Sequence, residues 1–259
     1  MSTVWDPALY LDFDDHRSRP FHDLLARVGA TSPRRVVDLG CGPGNLTAVL
    51  AARWPDATVV ASDSSAEMVA AARERGIAAA QADVVDWTPA PDDDVVITNA
   101  VLQWVPTHLD LLPRWLSAMP PAAWFALQVP GNFGAPSHVL VRELLEEPAW
   151  RGKVGVRGGD AVPDPEVYAE LMAAAGADVD VWETTYLQCL TGTDPVLKWI
   201  SATALRPVRD ALPADDYAAF RSELAPRLRE AYPARPDGTT WFPFRRIFAV
   251  ARTPRRGRA

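Results

Sequence analysis

Short apolar segments alternate with longer segments of helical periodicity over the first half of the chain. The apolar segments have the length and the valine-rich composition of buried strands, and they cover residues 36–39, 58–62, 77–81, 94–98 and 123–129. Helical periodicity is found between them, at 45–53, 65–75 and 107–118. Strands that alternate with helices in this way predict a parallel sheet with helices packed on both faces.

The second half of the chain continues with helices and two longer strands. Helical patterns lie at 136–147, 164–175 and 194–232, the last divided by Pro207 and Pro213, and strand patterns lie at 179–187 and 242–251. We therefore predict a doubly wound, Rossmann-like α/β fold with a mostly parallel seven-stranded sheet, to which the two late strands make an antiparallel addition. The whole chain, 1–259, is predicted to be a single domain, with residues 194–232 as a helical cap over the active site.

A glycine-rich turn follows the first predicted strand. That strand ends at Asp38, three glycines stand at every second position from Gly40 to Gly44, and a helix is predicted from Asn45. Glycine adopts positive φ and lets another molecule approach the backbone closely. A strand, a glycine turn and a helix form the layout of a nucleotide-binding crossover. The dinucleotide fingerprint G-x-G-x-x-G requires a glycine where this chain has Asn45, so a dehydrogenase is disfavoured.

Polar residues also follow the second and fourth predicted strands. Asp63 closes the second strand at about 20 residues after the glycine turn, where a carboxylate binds ribose hydroxyls and repels a 2′-phosphate. The alternative is that Asp63 only caps the helix that begins near Ser64. Asn99 closes the fourth strand, and Gln103 and Trp104 follow it. Open α/β sheets bind ligands beyond the carboxyl ends of their strands, so these residues are expected at the binding crevice.

Composition and charge exclude several classes of protein. The chain has 259 residues, 48% of them apolar, and no apolar segment approaches the ~20 residues of a membrane span. The N-terminus lacks the pattern of a secretory signal. The two cysteines, Cys41 and Cys189, suggest neither a disulfide framework nor a metal site, and a net charge of −7 argues against a polyanion partner. We predict a monomeric cytoplasmic protein with no bound metal, no nucleic-acid partner and no membrane partner.

The acid before the turn and the spacing of its glycines resemble the first motif of the class I S-adenosylmethionine (AdoMet) methyltransferases. Segments outside that motif resemble one family of the class, the trans-aconitate 2-methyltransferases, and they lie at 5–13, 17–20, 99–106, 128–138, 181–186, 199–207 and 242–252. The resemblance implies a cytoplasmic enzyme that uses AdoMet to convert trans-aconitate, a tricarboxylate, to a monomethyl ester.

The resemblance also implies a set of cofactor-binding residues. In this class an acid after the third strand accepts a hydrogen bond from the adenine amino group and the next backbone N–H meets the ring, positions that Asp83 and Val84 hold. An aromatic face attracts a sulfonium, so Tyr10 is expected to close over the cofactor, with packing on the sheet as its alternative role. The predicted AdoMet-binding residues are Tyr10, Asp38, Gly40, Cys41, Gly42, Asp63, Ser64, Asp83, Val84 and Asn99.

A carboxylate substrate determines the remaining chemistry. A carboxyl group with a pKa of about 4 is already ionised at neutral pH, so no general base is needed and the enzyme has only to position the oxygen. We assign that positioning to Gln103, Trp104 and His138. Guanidinium groups bind carboxylates in a bidentate manner. Arg245 and Arg246 are neighbours on a strand, so at most one of them faces the substrate. The candidate substrate-binding residues are Arg17, His22, Arg206, Arg245 and Arg246, each with a surface role as its alternative.

Two other functions remain open. The enzyme could methylate another small di- or tricarboxylic acid, or a nitrogen or carbon nucleophile, because pocket size is not encoded in a motif. The chain could also be an AdoMet-binding module without catalysis, which the presence of Asp38, Gly40, Gly42, Asp63 and Asn99 opposes.

Overall fold

The computed structural model describes residues 14–156, 158 and 161–255, with side chains from Ser18 onward. The strands are β1 (Arg35–Leu39), β2 (Thr58–Asp63), β3 (Ala79–Gln81), β4 (Asp93–Asn99), β5 (Trp124–Pro130), β6 (Asp178–Leu190) and β7 (Thr240–Arg252). The helices are α1 (Asp14–Ala26), α2 (Asn45–Arg53), α3 (Ala66–Glu74), α4 (His108–Ala118), α5 (Pro136–Leu145), α6 (Pro165–Ala174), α7 (Pro195–Ser201), α8 (Arg206–Ala211) and α9 (Ala214–Ala231). Short 3-10 helices cover Val84–Asp86 and Leu102–Trp104.

The strands form one sheet in the order β3-β2-β1-β4-β5-β7-β6. The first five of these are parallel, and Val37 of β1 pairs with Val60 of β2 and Val96 of β4. Strand β7 runs antiparallel to β5, because Thr253 N–H donates to the carbonyl of Ala123 while, at the other end, Gly131 N–H donates to that of Arg245. The predicted fold class is confirmed. The strand order reverses at β1 and β4, and the carboxyl ends of these strands are where such sheets hold ligands.

The central strands are apolar on both faces because helices cover both. Val36, Leu39, Val96, Ile97 and Phe125 are all completely buried. Burial of a side chain of this size contributes about 1.5–3 kcal/mol each. The strands that carry the predicted site are therefore anchored in the core.

The chain divides into two compact units. Unit 1 comprises residues 1–129, 163–183 and 247–259, and unit 2 comprises residues 130–162 and 184–246. Unit 1 contains the first four strands and the glycine turn. Unit 2 contains α5 and α7 to α9, and its core includes the contacting rings of Trp199, Phe242, Phe244 and Tyr232. The assignments of the chain as a single domain and of residues 194–232 as a cap stay predictions.

The helical region 194–232 is divided into separate helices near Pro207 and Pro213, as predicted. Pro207 lies in the first turn of α8, where its missing N–H costs no hydrogen bond, and Pro213 directly precedes α9. Both prolines therefore start helices, and the preceding helices end before them. Among the described residues, none of the helices combines the length and the apolar character needed to cross a bilayer.

Candidate active site

The glycine turn after β1 requires glycine for two different reasons. Gly40, Gly42 and Gly44 have φ values of 77°, 54° and 81°, which side chains disfavour. At Gly40 space is also lacking, because a Cβ there would come within 2.2 Å of Cγ2 of Val101. The N–H groups of Gly40 and Cys41 donate to the carbonyl of Ser62, at 2.8 and 2.9 Å. The turn is thus tied to β2 and packs directly against the segment that follows β4.

Gly42 faces open space. Among the residues that the structure describes, and apart from its neighbours in sequence, no heavy atom lies within 4 Å of the position that a Cβ would take there. Its N–H donates to Oδ2 of Asp63 at 2.9 Å. The backbone at Gly42 is therefore fixed from one side and accessible to a ligand from the other, which fits the close approach of a bound molecule.

Asp63 is held by backbone donors at the end of β2. Oδ2 accepts from Gly42 N–H, and Oδ1 accepts from Ser65 N–H at 2.9 Å. The side chain that caps α3 is that of Ser65, whose Oγ accepts from Met68 N–H. The backbone N–H of Ser64 also acts on the carboxylate, so three of its roughly four acceptor positions are used and about one is left for a ribose hydroxyl. Burial raises the pKa of Asp63, and the backbone donors partly oppose that rise.

Asp38 is a second buried carboxylate beside the turn. It is 3% exposed, and its Oδ2 accepts a hydrogen bond from Oγ1 of Thr47 at 2.6 Å. Burial raises the pKa of Asp38 to about 6, the hydroxyl of Thr47 opposes the rise, and the charge of Asp63 adds to it. The carboxylates of Asp38 and Asp63 are close together and poorly solvated, so the site favours a ligand with net positive charge.

Cys41 directs its thiol into the protein. The side chain is buried in a cluster with Ala61, Val69, Ala72 and Ala79. Burial raises the pKa of the thiol, and the charges of the two acids near the turn raise it further. The thiol is therefore neutral and unsuited to nucleophilic chemistry. Only the backbone of Cys41 is suited to the predicted cofactor contact.

The residues predicted to meet the adenine lie after β3. Asp83 is exposed, and its Oδ1 accepts from Val85 N–H at 3.1 Å, which caps the following 3-10 helix. Val84 is buried at 8% exposure. Ser64 is exposed, and its carbonyl accepts from Nε2 of Gln81. These placements leave the predicted roles of Asp83, Val84 and Ser64 as predictions.

The segment after β4 brings Asn99, Gln103 and Trp104 to the carboxyl end of the sheet, as predicted. Asn99 is partly buried and Gln103 is 5% exposed. Trp104 is 39% exposed, so its alternative role as a core residue is wrong. Ala100, between them, has φ of 58° and departs from ordinary backbone geometry, a feature that no sequence pattern predicts.

Two arginines are buried among the residues of unit 2 that the structure describes. Arg206 on α8 is 4% exposed and Arg246 on β7 is 5% exposed, with its guanidinium 4.6 Å from the ring of Phe244. Burial lowers the pKa of Arg206 to about 10, Asp210 opposes the shift, and Arg209 adds to it. Arg206 is nevertheless charged at neutral pH.

Arg245 differs from its neighbour on β7. It is less buried than Arg246, as alternation along a strand predicts, and its Nη1 donates to the carbonyl of Gly131 at 3.3 Å. His22 on α1 is exposed, with its ring edge-on to Phe21. The side chain of Arg17, like the whole of Tyr10, lies outside the described residues.

His138, at the start of α5, is neutral at physiological pH. Burial lowers its pKa to about 4, and the charge of Arg142 adds to the effect. Its Nδ1 lies 3.2 Å from Oγ of Ser137 and 3.5 Å from Nδ2 of Asn132. A neutral imidazole offers a donor or an acceptor but no positive charge. His138 can therefore orient a polar group and cannot serve as a counter-ion.

The neutral state of His138 has a measurable consequence. Because its pKa of about 4 lies below the working range, the ratio of kcat between the parent protein and His138→Gln should stay constant from pH 5.5 to 8. Parallel initial-rate profiles of the two proteins provide the measurement. A ratio that changes near pH 6.5 would show that the imidazole titrates normally.

His108 is a residue whose position sequence reasoning missed. The residue is buried, at 2% exposure. Its Nδ1 lies 2.9 Å from the carbonyl of Val105, and its Nε2 lies 2.9 Å from the hydroxyl of Tyr168. The first contact identifies Nδ1 as a donor, because a carbonyl oxygen can only accept. The only signal in the sequence that could have indicated this buried position is the place of His108 at the start of a predicted helix.

Gly42 and Gly76 form a matched pair for testing the open side of the turn. Both have positive φ, and at neither would an added Cβ have a heavy atom of the described residues within 4 Å, sequence neighbours aside. Replacement of either by alanine should therefore lower the free energy of unfolding by a similar amount, about 1–2 kcal/mol. Only Gly42→Ala should also weaken ligand binding at the turn. Thermal melting and calorimetry with AdoMet measure the two effects, and equal binding by both variants would contradict the assignment.

The sequence model of a family described as "Methyltransferase domain" matches residues 13–180. The chain therefore belongs to the methyltransferase domain family. Its cofactor is AdoMet, and no cluster of three or more metal-ligating side chains occurs among the residues that the structure describes.

Relatives of high identity extend over almost the whole chain. A protein of Rhodococcus jostii (strain RHA1) named trans-aconitate 2-methyltransferase is 63% identical over 251 residues, which cover 96% of this chain and 99% of the relative. A Mycobacterium tuberculosis (strain ATCC 25177 / H37Ra) protein of the same name is 55% identical, with 96% of each chain covered. The matched region includes both units.

Solved structures share the fold. Haemonchus contortus phosphoethanolamine N-methyltransferase 2, in complex with S-adenosyl-L-methionine, has a TM-score of 0.55 at 17% identity and covers 92% of this chain and 53% of its own. Streptomyces coelicolor geranyl diphosphate C-methyltransferase has a TM-score of 0.52 at 15% identity, with coverage of 94% and 82%. At these identities the likeness concerns architecture alone.

Proposed function

We propose that the protein transfers the methyl group of AdoMet to a carboxylate of trans-aconitate, giving the monomethyl ester and S-adenosylhomocysteine. The observation that supports this proposal most is identity of 55–63% over 96% of the chain to proteins named for that reaction. The cofactor residues of unit 1 alone would not indicate that the substrate is a carboxylic acid. The identity extends through unit 2, which contains the buried arginines.

The residues of unit 1 fit the cofactor. AdoMet carries a net positive charge, which suits the neighbouring carboxylates Asp38 and Asp63. The accessible backbone at Gly42 and the remaining acceptor position of Asp63 fit a nucleoside. We propose Asp63 as the ribose ligand and Asp83 with Val84 N–H as the adenine contact. The remaining cofactor contacts are proposed at Tyr10, Gly40, Cys41, Ser64 and Asn99.

The chemistry requires little from the protein beyond binding. When bound, AdoMet supplies an electrophilic methyl group on a sulfonium. A substrate carboxylate is ionised at neutral pH and has no proton to lose. The pKa of His138, about 4, makes its imidazole a weak base, and the thiol of Cys41 is buried and neutral, so both fit a mechanism without a general base. The side chains have to orient the carboxylate and exclude water, and orientation of this kind contributes up to about 7–11 kcal/mol.

We propose Arg206 and Arg246 as the main carboxylate ligands. Burial removes water from a guanidinium group and so strengthens its attraction to a carboxylate that reaches it. Arg245 is more exposed and donates to a backbone carbonyl, and His22 is exposed, so both are weaker candidates. Arg17 remains a prediction from sequence, as does the positioning role of Trp104 and His138.

An assay with purified protein tests the reaction. AdoMet is supplied with trans-aconitate, cis-aconitate, citrate, a dicarboxylate, an amine and a phenol, and S-adenosylhomocysteine is measured. We expect turnover with trans-aconitate and ester formation by mass spectrometry. Faster turnover of another acid would change the substrate and keep the carboxylate chemistry. AdoMet binding without turnover of any compound would favour a non-catalytic module.

We further propose that the enzyme works as a monomer in the cytoplasm, with a small-molecule substrate and no nucleic-acid or membrane partner. The net charge of −7 supports the absence of a polyanion partner. Light scattering of the purified protein and fractionation of cells that express it measure the two properties. A dimer at micromolar concentration, or recovery with membranes, would contradict them.

A further inference from the structure

The segment after β4 contains a hydrogen bond that fixes an unusual backbone. The φ of Ala100, 58°, lies in the left-handed region that residues with a side chain rarely adopt. Its N–H donates to the carbonyl of Gln128 on β5 at 2.8 Å. Its own carbonyl accepts from Nε2 of Gln103 at 2.6 Å. The peptide groups on both sides of Ala100 are therefore held, one by a strand and the other by a side chain.

Chemistry fixes the orientation of the Gln103 amide. A carbonyl oxygen can only accept, so the atom 2.6 Å from Ala100 O has to be the NH2 group and the amide cannot be reversed. Within the described part of the chain, Oε1 of Gln103 then has no hydrogen-bond partner, although the side chain is 5% exposed. A buried acceptor without a donor is unfavourable, and so is a left-handed alanine. Two such features in four residues indicate a constraint that serves function.

The same segment contacts the glycine turn. Val101 follows the left-handed residue, and its side chain occupies the space over Gly40, where a Cβ would come within 2.2 Å of it. The backbone conformation at Ala100 therefore determines where Val101 lies on the turn. The sequence predicted that Gln103 helps to position the substrate oxygen. Its donor is instead directed at the backbone three residues earlier.

We propose that Gln103 is a positioning residue for the cofactor: its side chain holds Ala100 in the left-handed conformation and thereby keeps residues 99–104 packed on the glycine turn in the form that binds AdoMet. This proposal depends on the proposed function in one respect only, namely that the bound cofactor is AdoMet. Gln103 acts through Ala100 and Val101, and loss of its donor should appear first in AdoMet affinity.

The isosteric variant Gln103→Glu tests the donor. When ionised, the new carboxylate cannot donate to Ala100 and repels its carbonyl, so the Kd for AdoMet by calorimetry should rise about tenfold or more at pH 7.5. Near pH 5.5 a buried carboxyl becomes protonated and can donate again, so the difference from the parent should narrow. An unchanged Kd, or a loss that is independent of pH, would overturn the proposal.

A second variant separates positioning from general damage. Glycine adopts the left-handed conformation without strain, so Ala100→Gly combined with Gln103→Glu should recover part of the lost affinity. Ala122→Gly is the matched control, because Ala122 is also left-handed, at 62°, but precedes β5 at the opposite end of the sheet. Ala122→Gly combined with Gln103→Glu should recover none of the lost affinity for AdoMet. If Gln103→Glu loses the same AdoMet affinity with and without Ala100→Gly, the proposal is overturned.

Calorimetry measures binding alone. A parent protein that binds AdoMet but methylates no acid would therefore contradict only the proposed reaction.

Discussion

Asp38→Asn should stabilise the cofactor-free protein by about 3 kcal/mol at pH 7.5 and weaken its binding of AdoMet. The pKa of Asp38 is about 6 in the folded chain against an ordinary value of 3.8. The folded protein therefore binds the proton more tightly than the unfolded chain, and stability is lost as pH rises from about 4 to about 6. Asparagine carries no charge to bury, so the variant avoids that loss.

Denaturant titrations at pH 4 and pH 7.5 measure the effect, and the advantage of Asp38→Asn should be small at the lower pH. Asp94→Asn is a control of opposite sign, because the Arg34 guanidinium lowers the pKa of Asp94 and the ion pair supports folding above its ordinary pKa. Asp94→Asn should therefore lower the free energy of unfolding at pH 7.5. A destabilised Asp38→Asn at both pH values would mean that the hydrogen bond from Thr47 outweighs the cost of burying the charge.

Arg206→Met should lower kcat/KM for trans-aconitate by about a hundredfold, equivalent to about 3 kcal/mol, while the Kd for AdoMet changes less than twofold. Methionine keeps the apolar stem, so much of the packing of α8 should be retained when the buried charge is removed. Initial rates, calorimetry and thermal melting together distinguish loss of a substrate ligand from loss of structure.

Arg209→Met is the matched control for this prediction. Arg209 lies on the same helix, its side chain is 35% exposed, and it pairs with Asp210. Removal of that exposed pair should change kcat/KM by less than about threefold. Equal effects of the two substitutions would indicate a general electrostatic field, and a full loss of AdoMet binding in Arg206→Met would place the arginine in the cofactor site.

The parallel part of the fold could be predicted because local and global signals agree there. Strand β4 was expected at 94–98 and lies at Asp93–Asn99, and α2 was expected at 45–53 and lies at Asn45–Arg53. Apolar runs on both faces, a helical period between them and a glycine turn at the first crossover leave few other topologies. The placement of Asp63 beside Gly42 followed from the same rule, since both residues stand at the carboxyl ends of neighbouring strands.

Features that depend on tertiary contacts could not be predicted. Nothing near His108 in sequence indicates that Tyr168, sixty residues later, supplies its partner. The strain at Ala100 is stabilised by Gln128 on the next strand and by a side-chain amide, neither of which forms a sequence pattern. The inward direction of Cys41 depends on α3, which packs beside the turn. The presence of arginines in the sequence indicated that carboxylates are bound. Only the structure, through the burial of each side chain, ranked these arginines as substrate ligands.

The close fit of Val101 over Gly40 has a practical consequence for anyone who wishes to redirect this enzyme toward other acids. A larger residue at 101 would displace the cofactor turn before it reshaped any substrate contact, since the gap left at Gly40 is less than one methyl group. Libraries that randomise the whole stretch after β4 would consist mainly of proteins unable to hold AdoMet. Diversity is better concentrated at Trp104, whose indole is already partly exposed to solvent and can change size without displacing the turn.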